Sequence, residues 1–136
     1  SYENEDNNDG MRQTISLLYK YKEVFIFLNL IDFDMNYGHR RDVPGFAKAL
    51  EDLDAFIPQL EAKLTERDLV IISADHGNDP TYRGTDHTRE YVPFIAYSKG
   101  MKPRDLGSRK TFADIGQTVV HALTGKPSMT VGTSIL

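Results

Sequence analysis

Residues 23–31, EVFIFLNLI, decide the fold class. Seven of the nine are apolar, with aromatic and β-branched types prominent. Such a run reads as a strand buried on both faces, as in a parallel sheet with helices on each side. It is too short to cross a bilayer, and Asn29 interrupts it. Two shorter runs of the same kind follow, DLVIIS at 68–73 and YVPFIAYS at 91–98, the second with Pro93 near its start. Helical spacing appears between and around them. Ile15 and Leu18 mark a helix over 11–21. Phe46, Leu50, Leu53, Ile57, Leu60 and Leu64 mark another, with Pro58 inside it, where a kink or split is expected. Thr111 is expected to cap a third helix running to about Leu123, with Asp114 completing a capping box and Gly125 and Pro127 ending it. The order helix, strand, helix, strand, strand, helix is that of an α/β protein.

The chain has 136 residues, 40% of them hydrophobic, enough for one domain with a modest core. Its net charge of −4 makes it a poor nonspecific binder of nucleic acid. It has no cysteine, which excludes disulfides, cysteine zinc sites and thiol catalysis and fits a cytoplasmic location. Neither a signal peptide nor a membrane span is visible, so no membrane partner is expected. The opening SYENEDNNDG, residues 1–10, reads as a polar leader, and residues 11–136 as the α/β core. The chain starts at Ser1 and three strands make a thin sheet, so a piece of a longer protein is expected.

Three of the four histidines stand beside aspartates, just after apolar runs. The first cluster is Asp32-Phe33-Asp34 with Gly38-His39. The second is Asp75-His76-Gly77, followed by Asp86-His87. Carboxylate oxygen and imidazole nitrogen together hold a divalent ion such as Mn, Zn or Fe. In open α/β sheets ligands gather at the carboxyl ends of strands, where both clusters fall. In an extended segment Asp32 and Asp34 would face the same way. Asp34 and His39 could then reach one ion across the Gly38 turn. Asp75 and His76 can converge only where the strand breaks, and Gly77 permits that. His87 can fold back from its loop. Asp34, His39, Asp75, His76 and His87 are therefore the candidate metal ligands, and five donors suit a pair of ions better than one. Asp32 is left between supporting a ligand and lying in solvent. Asp79 and Asp86 read as turn residues, and His121, mid-helix, reads as structural. Arg40 and Arg41 could contact phosphate or pair with Asp42. Phosphate loops, GxGxxG, HExxH and GxSxG are absent.

The strings NLIDFDMNYGHRRD, SADHGNDP, GTDHTREYVPFIAYS and TFADIGQT resemble the C-terminal part of the phosphopentomutase family, within the alkaline phosphatase superfamily. The likeness runs from about Asn8 to the end. The ADHGN string is shared with cofactor-independent phosphoglycerate mutases, where a Gly-His-Thr-Gly-like run would replace Gly38-His39-Arg40-Arg41.

The resemblance implies a doubly wound sheet with helices on both faces and an inserted cap domain. It implies two Mn ions and a phosphothreonine. The reaction would move phosphate between the 1 and 5 positions of ribose or 2-deoxyribose through a bisphosphorylated sugar. By motif position, Asp34, His39 and His87 would hold one ion, and Asp75 and His76 would help hold the other. The nucleophilic threonine, a further aspartate ligand and the cap belong to regions that this chain does not contain. Thr81, Thr85 and Thr88 do not match the nucleophile's position, so no catalytic nucleophile is assigned here. The alternatives are a phosphoglycerate mutase or phosphatase of the same superfamily, and a non-catalytic metal-binding piece. Sugar preference and oligomeric state are not legible.

Overall fold

The computed structural model describes residues 2–136. The elements run α1 (Asn7–Lys20), a π-helical turn (Phe33–Gly38), α2 (Val43–Glu61), β1 (Val70–Ser73), β2 (Phe94–Tyr97) and α3 (Ala113–Thr124). The chain forms two compact units. One holds the described residues up to Leu64 together with Ser73–Pro93, the other Thr65–Ile72 with Phe94–Leu136.

In the first unit α1 starts at Asn7, four residues before the expected Met11. The Asp6 side chain accepts from the Asp9 amide at 2.7 Å, closing the first turn as an N-cap. Part of the polar opening is therefore helix, and Asn7 and Gly10 are buried. A Cβ at Gly10 would stand 2.7 Å from Leu28 Cδ1, so α1 lies close against the apolar segment. α2 starts three residues ahead of Phe46, because the Asp42 carboxylate accepts from Gly45 N at 3.0 Å. Asp42 is thus a cap. Pro58 does not split α2, which continues to Glu61. It falls in the last turn, where only one backbone bond is lost. Met11, Ala49, Phe56 and Leu64 are buried, and Phe33 of the π-helical turn meets Phe46 of α2 edge-on, ring centroids 5.3 Å apart. Each of the Met, Phe and Leu side chains removed from water contributes about 1.5–3 kcal/mol.

The run 23–31 forms no strand among the described residues. Ile26, Leu28 and Leu30 are half-buried while Phe25, Phe27, Asn29 and Ile31 are exposed, Phe27 at 81%. The expectation of burial on both faces is overturned on one face. A strand exists only as part of a ladder, and no neighbouring strand pairs with this segment.

In the second unit β1 and β2 form a two-stranded sheet, each shorter than its apolar run suggests. Gly125 ends α3 in a left-handed conformation, φ 76°. At the other end Asp114 forms no capping box. Thr111 Oγ1 accepts from Ala113 N at 3.2 Å, and the Asp114 carboxylate instead receives Thr133 N at 2.8 Å and Arg109 Nε at 2.7 Å. The tail runs along α3 through side-chain bonds. Gln117 exchanges two with Met129, at 2.9 and 3.0 Å, and the fully buried Thr118 accepts from Ile135 N at 3.2 Å. His121 Nδ1 bonds Ser134 Oγ at 2.9 Å, a structural role. Among the described residues, no helix is long and apolar enough to cross a membrane.

Candidate metal centre

All five candidate ligands fall in the first unit. The sequence after Ile31 enters a π-helical turn instead of continuing extended, so Asp32 and Asp34 do not share a face. Asp32 is buried and structural. Its carboxylate accepts from Asn7 N at 2.8 Å and from Asn36 Nδ2 at 2.7 Å, and its amide donates to Asn7 Oδ1 at 3.1 Å. Asp34 turns to the histidines. The wider π-helical winding, frequent at functional sites, also ends in a backbone bond from His39 N to Asp34 O at 2.9 Å, which joins the two candidate ligands directly.

Asp34, His39 and His87 present one donor atom each, all within 4.8 Å of one another. Asp34 Oδ2 lies 3.3 Å from His39 Nε2, and Asp34 Oδ1 lies 3.4 Å from His87 Nε2. The two Nε2 atoms are 3.0 Å apart. Two donors each bonded at about 2.0–2.2 Å to one ion stand roughly 3.0–3.5 Å apart, so the residues fit a divalent cation. The tautomer fits as well. His39 Nδ1 hydrogen-bonds the Thr85 carbonyl, which assigns its proton to Nδ1 and leaves the Nε2 lone pair facing Asp34.

Asp75 and His76 follow β1 and stand beside this triangle. His76 Nε2 is 3.6 Å from Asp75 Oδ2, and His76 Nδ1 faces the Gly77 carbonyl at 3.2 Å. The His76 ring stacks on His87, centroids 3.8 Å apart. Asp75 is largely exposed. The strand ends at Ser73, before Asp75 and not at Gly77, and Gly77 instead forms an antiparallel bridge with Thr88. A Cβ at Gly77 would meet the Thr88 carbonyl oxygen at 2.7 Å, so only glycine allows this approach.

Asp79 is the expected turn residue. It accepts from Thr81 N at 2.8 Å and Thr81 Oγ1 at 2.7 Å. These bonds, with the Arg41 charge, hold its carboxyl below the usual range. Thr88 Oγ1 accepts from Asp79 N at 2.7 Å. One residue escaped the sequence reading, and another has a different role from the one read. Asn78 donates to Asp34 Oδ1 at 2.7 Å and accepts from Arg41 Nη1 at 2.7 Å. Arg41, a candidate for phosphate, instead spends its guanidinium on protein acceptors, while its neighbour Arg40 is exposed. The only sequence signal for Asn78 was its place two residues after His76.

Residues 1–127 match the model of the Metalloenzyme superfamily. The chain belongs to this superfamily. Within it, the chain is 52% identical to the phosphopentomutase of Alkaliphilus metalliredigens over 87% of its own length and 30% of that protein's. It is 56% identical to the phosphopentomutase of Rhizobium etli over 82% of the chain and 27% of the relative. With that of Caldanaerobacter subterraneus subsp. tengcongensis the identity is 52%, over 96% and 33%. The chain spans about a third of the length of the curated relatives it matches. As a member of the metalloenzyme superfamily it has α/β elements, three helices and a small sheet among the described residues.

Proposed function

We propose that this chain supplies the metal-binding part of a phosphopentomutase. The whole enzyme would interconvert the 1- and 5-phosphates of ribose or 2-deoxyribose. The single observation that carries this reading is the triangle of Asp34, His39 and His87, drawn from segments far apart in sequence and spaced as donors to one ion. Similarity to curated phosphopentomutases over most of the chain supports the substrate. Asp34, His39 and His87 hold one divalent ion, and Asp75 and His76 help hold a second. The ions are taken as Mn, which mixed carboxylate and imidazole donors accept as they do Zn and Fe. Once bound, such ions neutralise charge on a transferring phosphoryl group and acidify a nucleophilic hydroxyl.

The chain's own residues orient that chemistry. Thr85 and Gly77 fix the histidine ring positions through their carbonyls. Asn78 holds Asp34 by one oxygen. Arg40, exposed next to His39, is placed to meet a phosphate. Thr81 and Thr88 have their hydroxyls engaged with Asp79, which supports a nucleophile from elsewhere in the full-length protein. The complete core is a doubly wound sheet with helices on both faces, in a cytoplasmic enzyme.

The test is a mutase assay on the full-length protein with Mn, offering ribose 1-phosphate against 3-phosphoglycerate. Turnover of the pentose phosphate, abolished in His76→Ala, is the expected result. Turnover of phosphoglycerate alone, or simple release of phosphate, would assign the protein to another branch of the superfamily. Tight binding of two ions without turnover of either would make it a binding module.

A further inference from the structure

Arg41 is the one non-glycine residue with positive φ, 55°, among the described residues. A left-handed conformation costs an L-residue roughly 1–2 kcal/mol and persists where surrounding contacts impose it. The contacts here are those of its guanidinium. Nη1 donates to Gly38 O at 3.0 Å, Asn78 Oδ1 at 2.7 Å and Asp79 O at 2.9 Å. Nη2 donates to Asp86 O at 2.6 Å, and Nε donates to the Gly84 carbonyl. One planar cation thus gathers four backbone carbonyls and an amide oxygen.

These acceptors are not scattered. Gly84 and Asp86 flank Thr85, whose carbonyl orients His39, and Asp86 precedes His87. Asn78 is the residue that holds Asp34. Residues 81–87 are all exposed, and Gly84, φ 87°, has open space around its Cα. Burial therefore does little to hold this loop. The other bonds that tie it are Thr81 to Asp79 and Thr88 to Asp79 and Gly77 at its base, and those of His39 to the Thr85 carbonyl and to His87.

We propose that Arg41 is a positioning residue: its guanidinium staples loop 78–87 to the π-helical turn and thereby brings His87 within reach of His39 and Asp34. The inference rests on the metal-site reading above. Arg41 touches no substrate in this role, so it is distinct from Arg40. The left-handed turn aims the side chain under the loop, and the rigid fork reaches all five acceptors, three of them sharing the two N–H groups of Nη1.

Arg41→Gly is the most direct test, because glycine accepts the positive φ and only the side chain is lost. Two measurements on the full-length protein separate the possibilities. The first is amide hydrogen exchange across residues 80–88 without metal. The second is Mn affinity by titration. Faster exchange confined to the loop, with affinity for one of the two ions weakened about tenfold to a hundredfold, is expected. Arg41→Lys, with three donors on one point, should recover only part of either. Wild-type exchange and affinity in Arg41→Gly would overturn the proposal, and so would faster exchange with unchanged affinity. If the wild-type protein binds no Mn, the metal reading itself fails and the positioning role falls with it. His87→Ala, weak where Arg41→Gly is normal, would show the failure to be that of Arg41 alone.

Discussion

The Nε2 atoms of His39 and His87 stand 3.0 Å apart although the residues are separated by 48 positions. Two imidazole lone pairs cannot face each other at that distance without a proton or a cation between them. Asp34 beside both favours positive charge in the gap. A divalent ion satisfies all three groups at once. In the full-length protein, His39→Ala or His87→Ala should therefore weaken one of two bound ions by more than about tenfold, with the far-ultraviolet circular dichroism unchanged. A calorimetric titration with Mn measures this. Two equivalent sites of wild-type affinity in either variant would remove both residues from the ligand set.

Gly38 gives a second prediction, through packing. A Cβ there would stand 2.7 Å from Asn78 Cγ and 2.9 Å from the Phe33 carbonyl oxygen. The carbonyl belongs to the π-helical turn and cannot yield cheaply. Asn78 cannot step aside either, since its amide is bonded to Asp34 on one side and Arg41 on the other. Gly38→Ala should cost about 1–3 kcal/mol by urea unfolding and lower metal affinity as well. A loss of stability alone would mean that the turn relaxes without disturbing Asp34.

Much of the site was legible because its chemistry is carried by residue type. Histidine beside aspartate after an apolar run marked candidate donors, and Asp34, His39 and His87 do converge, although no strand precedes Asp34 and His39. The helices were legible from spacing, although α1 and α2 start earlier than expected because Asp6 and Asp42 cap them. What escaped depends on conformation and partners. The alternation of Asp32 and Asp34 promised one face only if the backbone stayed extended, and it winds into a π-helical turn. Residues 23–31 have the composition of a buried strand, but composition cannot supply the neighbour that a ladder needs. Arg41 advertises a charge, and its five acceptors became visible only once the loop was folded over it.

The two aspartates of the Asp-Phe-Asp stretch should separate cleanly by experiment. Asp32→Ala leaves the buried Asn7 amide and Asn36 without an acceptor, at a cost of about 2–3 kcal/mol. Metal affinity should change little. Asp34→Ala should do the reverse, abolishing binding at one ion while moving metal-free stability by less than about 1 kcal/mol. Urea midpoints without metal, paired with Mn titrations, test the crossing pattern. Equal effects of the two variants on affinity would make Asp32 part of the metal site.

The second unit carries its own pH dependence. The Thr133 amide, bonded to the Asp114 carboxylate, depresses the acid's pKa, opposed by burial and reinforced by Arg109. A carboxyl more acidic in the folded state stabilises the fold above its unfolded value, about 3.9. That contribution disappears as pH falls through the lower folded value, because the protonated acid loses the charge that Arg109 and Thr133 N address. Asp114→Asn keeps the shape and an acceptor for Thr133 N but never has the charge. The gap in urea midpoint between wild type and Asp114→Asn should thus be full near pH 7 and unchanged near pH 5. It should close as pH drops below about 3.9. A gap that stayed constant down to strong acid would mean that the carboxylate's charge contributes nothing to holding the tail along α3.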